Sequence, residues 1–242
     1  MLWLSLALAP AAHAVDADAV MAAVSRADAV RAHRAMPAPT IEADDYRRTA
    51  DGRIVTGLNR VQGSGARRAW GIAIIDAPIE VVWAGVNDFA SHPELTQVEY
   101  AEIQSGSACK SGRKVFQYLP VGVPMISDRW WVTLQTATDA VHQKSGGTVR
   151  ELTSVADVRP EALTTLRAKE LAADGTPVAF SKGGWFLTQV DDTHTLAEFT
   201  AWTDPGGYVP ASIATSFAAG GVEDNLEALR KLVAQGPNCP IE

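Results

Sequence analysis

The sequence is poor in the residues that usually mark a catalytic or metal site. Its 242 residues include five histidines and two cysteines, and none of them stand at the spacing of metal ligands. It lacks the Gly-x-Ser-x-Gly pattern of a nucleophile elbow and a glycine-rich phosphate loop between a strand and a helix. We therefore expect the isolated His92 and His194 to be structural or solvated. The sequence predicts no catalytic residue, no metal site, no cofactor and no enzymatic activity.

Positive charge is also scarce. Lysine and arginine number 21 against 28 acidic residues, which gives a net charge of −7. Nucleic acids are bound through basic surfaces, so this balance disfavours a nucleic acid as partner. It offers no obvious attraction to an anionic membrane either. No apolar run approaches the ~20 residues that span a bilayer.

Residues 1–14 predict a signal peptide. They carry no charge, contain an apolar run at residues 2–9 and end in Ala-His-Ala, a small-x-small cleavage site. The usual basic n-region is missing, and a buried N-terminal helix is the alternative interpretation. We predict cleavage before Val15, a single domain over residues 15–242, and a periplasmic or secreted protein.

The two cysteines, Cys109 and Cys239, are a candidate disulfide pair. An even number of cysteines in an exported chain is typical of a disulfide, because compartments outside the cytoplasm are oxidising. The sequence does not show whether their Cα atoms come within bonding distance. The pairing therefore stays open at this point.

Apolar periodicity predicts an α+β domain. Residues 16–36 and 78–86 have the pattern of amphipathic helices. The Asp51-Gly52 pair predicts a hairpin between residues 46–49 and 53–56. Further strands are predicted at residues 68–76, 98–104, 114–119, 127–136, 148–156, 163–171, 181–190 and 195–202. Because most connections have hairpin length, we expect an antiparallel sheet.

The longest predicted element is a C-terminal helix. No proline follows Pro210 before residue 235, and the 25 residues from Pro210 to Ala234 span roughly 37 Å at 1.5 Å per residue. The second half carries large apolar residues, whereas the first half is rich in alanine and contains Gly220 and Gly221. Each glycine costs about 1 kcal/mol against alanine in a helix. Two interpretations stay open: close packing against the sheet or a kink, and space for a ligand or freedom to move.

Three stretches of the chain match one family in the expected order. They are WGIAIIDAPIEVVWAGVNDFASHPEL at residues 70–95, PMISDRWWV at 124–132, and the segment from GGWFLTQV at 183 through DPGGYVP into a helix ending NLEALRKL. Together they resemble a START (steroidogenic-acute-regulatory-related lipid transfer) domain of the helix-grip, polyketide cyclase-like superfamily. The resemblance implies a helix-grip fold: a curved antiparallel sheet around the C-terminal helix, with an internal apolar cavity.

The strand at 127–136 has two different faces. Arg129, Trp131, Thr133 and Gln135 share one face, and more apolar residues share the other. Apolarity alone would turn the second face to the core, whereas the resemblance turns the first to the cavity, where a few polar groups orient a ligand. Arg129 then anchors the ligand's polar head, or it pairs with a surface carboxylate. The further ligand contacts predicted are Tyr118, Trp185, Phe199, Ile213, Phe217, Gly220 and Gly221.

The last strand shows a similar alternation. Ala197, Phe199 and Ala201 form a small apolar face. Their neighbours Glu198 and Thr200 are expected on the solvent side.

The predicted signal peptide implies export, and the resemblance implies a protein that holds and transfers one apolar ligand: a sterol, hopanoid, phospholipid or fatty acid. We expect a monomer that contacts membranes transiently and gains about 25 cal/mol per Å² of apolar ligand surface buried. One alternative is a helix-grip enzyme such as a polyketide cyclase or aromatase. Export argues against it, because such substrates are made on cytoplasmic carriers. The other is a scaffold whose cavity is filled by its own side chains.

Overall fold

One curved sheet organises the structure. The structure is a computed structural model that describes residues 15–94, 96–207 and 209–241. The side chains of residues 92–94, 211–213, 216 and 217 are not described. Within these residues the sheet contains β1 (Val55–Asn59), β2 (Arg68–Ile75), β3 (Tyr100–Ser105), β4 (Arg113–Leu119), β5 (Arg129–Ala137), β6 (Val149–Asp157), β7 (Thr176–Pro177), β8 (Phe180–Gln189) and β9 (Thr195–Asp204). The strand order is β1-β2-β9-β8-β6-β5-β4-β3. The pairings are antiparallel, except that the short β7 runs parallel to the start of β5. The predicted α+β fold with an antiparallel sheet is confirmed.

Helices cover both faces of this sheet. They are α1 (Ala17–Arg31), α2 (Ala43–Thr49), α3 (Ile79–Asn87), α4 (Asp139–Lys144), α5 (Leu166–Asp174) and α6 (Ala211–Gln235). Asp16 caps α1, since its side chain accepts a hydrogen bond from the Asp18 amide at 2.9 Å. Pro78 and Pro210 stand immediately before α3 and α6, where a missing N–H removes no intrahelical hydrogen bond.

The C-terminal helix α6 lies across β2 and β9 and also packs on α3. Its second half contributes Val222, Leu226 and Leu229 to a buried core with apolar residues of α3, β2 and β8. The approach is so close at Gly71 that a Cβ atom there would lie 2.5 Å from Cγ1 of Val222. Glycine at position 71 therefore allows the helix to reach the sheet.

The opposite face of the sheet is covered by α1 and α2, which bury an apolar cluster containing Val20, Val24 and Trp70. The predictions that Glu198 and Thr200 face solvent are wrong, since they are 1 % and 3 % exposed. Strand alternation correctly separates the two faces of β9. It does not reveal that a helix from the start of the chain lies over the second face.

A buried ionic cluster joins the end of α1 to the sheet. Arg31 Nη1 donates to Glu198 Oε2 at 3.0 Å, and Arg34 Nε donates to Glu151 Oε1 at 3.1 Å. Arg34 also approaches Glu198, with its Nη1 at 3.4 Å from Oε2. The ring of Phe186 lies 4.8 Å from the Arg31 guanidinium and 4.1 Å from that of Arg34. The buried carboxylates therefore have cationic partners, as buried charges require.

Two local predictions are wrong. Residues 46–49 belong to α2 and not to a strand, so Asp51-Gly52 forms the turn after a helix, with the Gly52 amide donating to Thr49 O at 2.9 Å. The predicted strand at 163–171 overlaps α5, which begins after its N-cap Thr165. In both segments the buried residues are spaced as on one face of a helix, rather than alternating as in a strand.

The C-terminal segment is tied to the body of the domain. Cys109 and Cys239 form a disulfide, which joins the β3–β4 connection to the residues after α6. Beside it, the Asn238 amide donates to Asp88 Oδ2 at 2.8 Å, at the end of α3. The predicted signal peptide, residues 1–14, lies outside the described residues. No helix in the described ranges combines the length and the apolarity needed to cross a membrane.

Candidate functional site

A pocket of about 250 Å³ lies between the sheet and the first half of α6. Strands β4, β5, β6, β8 and β9 form one wall; α3, residues 96–98 and α6 form the other. Most of the lining residues are apolar or glycine. Ala214, Ala218 and Gly221 of α6 line the pocket, whereas the large residues of its second half fill the core. The change from small to large residues along α6 therefore separates the pocket from the packed core.

Several predicted ligand contacts lie together in the pocket wall. They are Arg129, Trp131, Thr133, Gln135, Trp185, Phe199 and Gly221. The side chains of Ile213 and Phe217 lie outside the described residues. Gly220 adjoins the wall without being part of it.

Tyr118 does not reach the pocket. Its neighbours Gln117 and Leu119 line the pocket, so the alternation of β4 turns Tyr118 to the other face. There it packs in a cluster with Phe116 and Trp130 under α5, and its hydroxyl donates to Asp128 Oδ2 at 2.7 Å. Burial, followed by this carboxylate, raises the pKa of Tyr118 to about 12. Its role is therefore in the core of the opposite face.

The glycine pair of α6 does not serve close packing. Among the described atoms, a Cβ at Gly221 would meet nothing within 4 Å, and one at Gly220 would meet only Gln97 Nε2, at 3.9 Å. The space at Gly221 belongs to the pocket. The close helix–sheet approach occurs instead at Gly71.

Aromatic rings supply much of the apolar wall. Trp185 and Phe199 stand on neighbouring strands with ring centroids 4.4 Å apart. Trp131 presents its ring from β5, and its indole Nε1 donates to Gln117 Oε1 at 2.7 Å. Because this N–H already has a partner, the indole can contact an apolar ligand without leaving a donor unpaired.

Arg129 lies at the pocket wall but is engaged by backbone carbonyls. Its Nε donates to Pro205 O at 2.6 Å and its Nη2 to Gly206 O at 3.0 Å, while Nη1 donates to Ser127 O. Burial lowers the pKa of Arg129. The guanidinium thus fastens the segment between β9 and α6 to the start of β5.

A second buried arginine, Arg113, was not predicted from the sequence as a site residue and is fully buried at the start of β4. Its Nε donates to Gln135 Oε1 at 2.7 Å, and its Nη1 donates to Asn87 Oδ1 at 3.1 Å and Lys110 O at 3.2 Å. Burial lowers the pKa of Arg113 to about 10, so it is still a cation at neutral pH. The alternation of side chains along a strand was the signal that could have found Arg113, because it places Arg113 and Gln117 on the same face of β4.

Polar atoms without a partner among the described residues occur on β5 and on β4. Thr133 lines the pocket at 2 % exposure, and its Oγ1 has no hydrogen-bond partner in the described part of the chain. The guanidinium Nη2 of Arg113, on β4, is likewise buried with no described partner. Most buried polar groups in proteins are paired, so these two atoms retain unused hydrogen-bonding capacity. In the described ranges, no group of three or more His, Cys, Asp or Glu side chains is arranged to hold a metal ion.

Solved structures with this architecture include lipid transfer domains. A fragment of a STAR-related lipid transfer protein from Xanthomonas axonopodis has a TM-score of 0.58 at 20 % identity, covering 75 % of this chain and 94 % of that one. Human StAR-related lipid transfer protein 5 has a TM-score of 0.59 at 19 % identity, covering 89 % and 98 %. No protein-family model and no curated protein sequence matches. The likeness concerns the fold, and by it the chain has the helix-grip fold of START domains.

Proposed function

We propose that this protein binds one lipid or similar apolar molecule in the pocket between the sheet and α6. The observation that carries the proposal is the pocket wall, in which Trp131, Trp185 and Phe199 face small residues of α6. Removing apolar ligand surface from water there is worth about 25 cal/mol per Å². Similar solved structures named as lipid transfer proteins support the same class of ligand.

The size of the pocket favours a single-chain ligand. Its volume of about 250 Å³ is at the lower edge of the range of roughly 300–1,000 Å³ for small-molecule sites. A fatty-acid-like chain suits this space better than a phospholipid with two acyl chains.

Release of the ligand requires the wall to open, and two tethers are placed to control it. Gln97 Nε2 donates to Asp224 Oδ2, which joins residues 96–98 to α6. Arg129 joins β5 to the segment before α6 through Pro205 and Gly206. We propose that the ligand passes between these tethered segments.

We further propose that the protein works outside the cytoplasm. The small-x-small site before Val15 and the Cys109–Cys239 disulfide support export, because disulfides persist in oxidising compartments. Transfer of a lipid through an aqueous compartment would require a carrier that buries the acyl chain.

Native mass spectrometry of the full chain, expressed with its N-terminus intact and purified without detergent, tests this proposal. We expect a chain that lacks residues 1–14 and an adduct whose mass, after dissociation, is that of one lipid. A chain beginning at Met1 would contradict export. A protein without any adduct, which also fails to take up an uncharged fluorescent lipid, would contradict lipid binding.

The glycines of α6 provide a matched pair of variants. Gly220→Ala and Gly221→Ala should each raise the free energy of unfolding by up to about 1 kcal/mol, because alanine is the better helix former. Only Gly221 lines the pocket, so only Gly221→Ala should change the affinity for an uncharged fluorescent lipid. Urea denaturation and fluorescence titration measure the two effects. Equal affinities in both variants would place the ligand away from this part of α6.

A further inference from the structure

The polar end of the pocket lies beside Arg113 and Gln135, and its role in ligand binding rests on the function proposed above. Arg113 and Gln135 are direct partners in the pairing of β4 with β5, and their side chains meet on the pocket side of the sheet. Gln135 lines the pocket, whereas Arg113 lies behind it with no exposed surface. A ligand in the pocket would therefore touch Gln135 first, with the guanidinium immediately behind.

No carboxylate within the described residues forms an ion pair with Arg113. Its hydrogen-bond partners are the neutral oxygens of Gln135, Asn87 and Lys110, and Nη2 has none. The negative end of the α3 dipole at Asn87 supplies about half a charge at most. A buried cation without a counter-ion is strongly destabilising. Apart from the ring of Phe89, 6.0 Å from the guanidinium, the described residues thus leave the positive charge beside the pocket without an anionic partner.

Arg113 also determines which end of the Gln135 amide faces a ligand. Arginine has donors and no acceptor, so the oxygen of Gln135 must face Arg113. The amide nitrogen is the end left free, and it donates no hydrogen bond among the described residues. The hydroxyl of Thr133, two residues earlier on the same face of β5, is also unpartnered. Both groups can donate to one acceptor in the pocket.

The geometry points to a binding site for a carboxylate: the pocket takes a single-chain amphiphile whose terminal carboxylate accepts hydrogen bonds from Gln135 and Thr133 and compensates the charge of Arg113. Gln135 and Thr133 are the contact residues. Arg113 is a positioning residue, which orients the amide of Gln135 and supplies the charge. The apolar chain of the ligand then lies along Trp131, Trp185 and Phe199.

Dodecanoate and dodecanol, which share a chain length and differ in charge, test this assignment. Titrated by calorimetry into the full chain freed of lipid, dodecanoate should bind at least about ten-fold more tightly than dodecanol, because two hydrogen bonds to a charged acceptor together exceed two to a neutral acceptor by this factor. Arg113→Met should bring the two affinities together by weakening dodecanoate alone. Lys114→Met, which removes a half-exposed cation from the adjacent position of β4, should leave the ratio unchanged.

Gln135→Glu gives an independent test that does not depend on removing Arg113. The new carboxylate would pair with the guanidinium, so this variant should melt at a higher temperature than the wild type and prefer dodecanol. Equal wild-type affinities for the two ligands, or an unchanged ratio in both Arg113→Met and Gln135→Glu, would overturn the carboxylate site while leaving lipid binding intact. Failure of the wild type to bind either ligand would overturn the proposed function as well.

Discussion

Removal of the Cys109–Cys239 disulfide is expected to lower the free energy of unfolding by about 3–5 kcal/mol. The two cysteines are 130 residues apart, and in the chain-entropy model a link over that distance costs the unfolded chain about 5 kcal/mol. Hydrogen bonds of Asn238 to Asp88 hold the same segment in the folded protein, so the main effect falls on the unfolded state. Urea denaturation followed by circular dichroism measures the change.

The wild type under reducing conditions is the control for the double variant Cys109→Ala with Cys239→Ala. The two should unfold at similar urea concentrations, both well below the oxidised wild type. If reductant does not change the urea midpoint of unfolding of the wild type, the disulfide does not stabilise the domain. Because the bond lies beyond α6, the variant should keep its affinity for an apolar ligand while it remains folded.

Glu198→Gln is expected to cost about 3 kcal/mol of stability. Removing one partner of a buried ion pair costs about 3–5 kcal/mol, because the other charge stays buried. The lower end applies here, since Arg31 keeps 16 % of its side chain exposed and Arg34 retains Glu151. The loss should appear first in α1, as faster amide hydrogen exchange along its second half.

Asp44→Asn is the matched control for Glu198→Gln. Asp44 pairs with Arg47 on the surface, with side chains 90 % and 50 % exposed, and such pairs contribute about 0–1 kcal/mol. Combining Glu198→Met with Arg31→Met should recover stability relative to Glu198→Met alone, because no unpaired charge is then buried at Arg31. A loss from Glu198→Gln no larger than that from Asp44→Asn would show that the cluster does not hold α1.

Much of the pocket follows from local patterns in the sequence. Alternation along β5 placed Arg129, Trp131, Thr133 and Gln135 on one face, and all four line the pocket. The small residues in the first half of α6 left two interpretations open, close packing against the sheet or space for a ligand, and the structure puts pocket space at Gly221. The inference for β5 succeeds because the period of a strand is a property of the local backbone.

Tertiary structure decided which groups those faces meet. The alternation of side chains along a strand cannot show that α1 covers Glu198. Nor can it show that the guanidinium of Arg129 donates hydrogen bonds to carbonyls of a distant segment. Partners of this kind come from elements far apart in the chain. Tyr118 differs, because it alternates with Gln117 and Leu119, and this alternation alone places it on the other face of β4.

The sequence by itself determined the strands around the pocket, the long helix and the two cysteines available for a bond. Only the tertiary structure decided that Arg113 lies buried beside Gln135 with no carboxylate partner among the described residues. The physical reason is that burial and pairing of a charge depend on the whole surroundings of the side chain. At Arg113 these come from the β4–β5 pairing and from Asn87 at the end of α3, which no local pattern brings together.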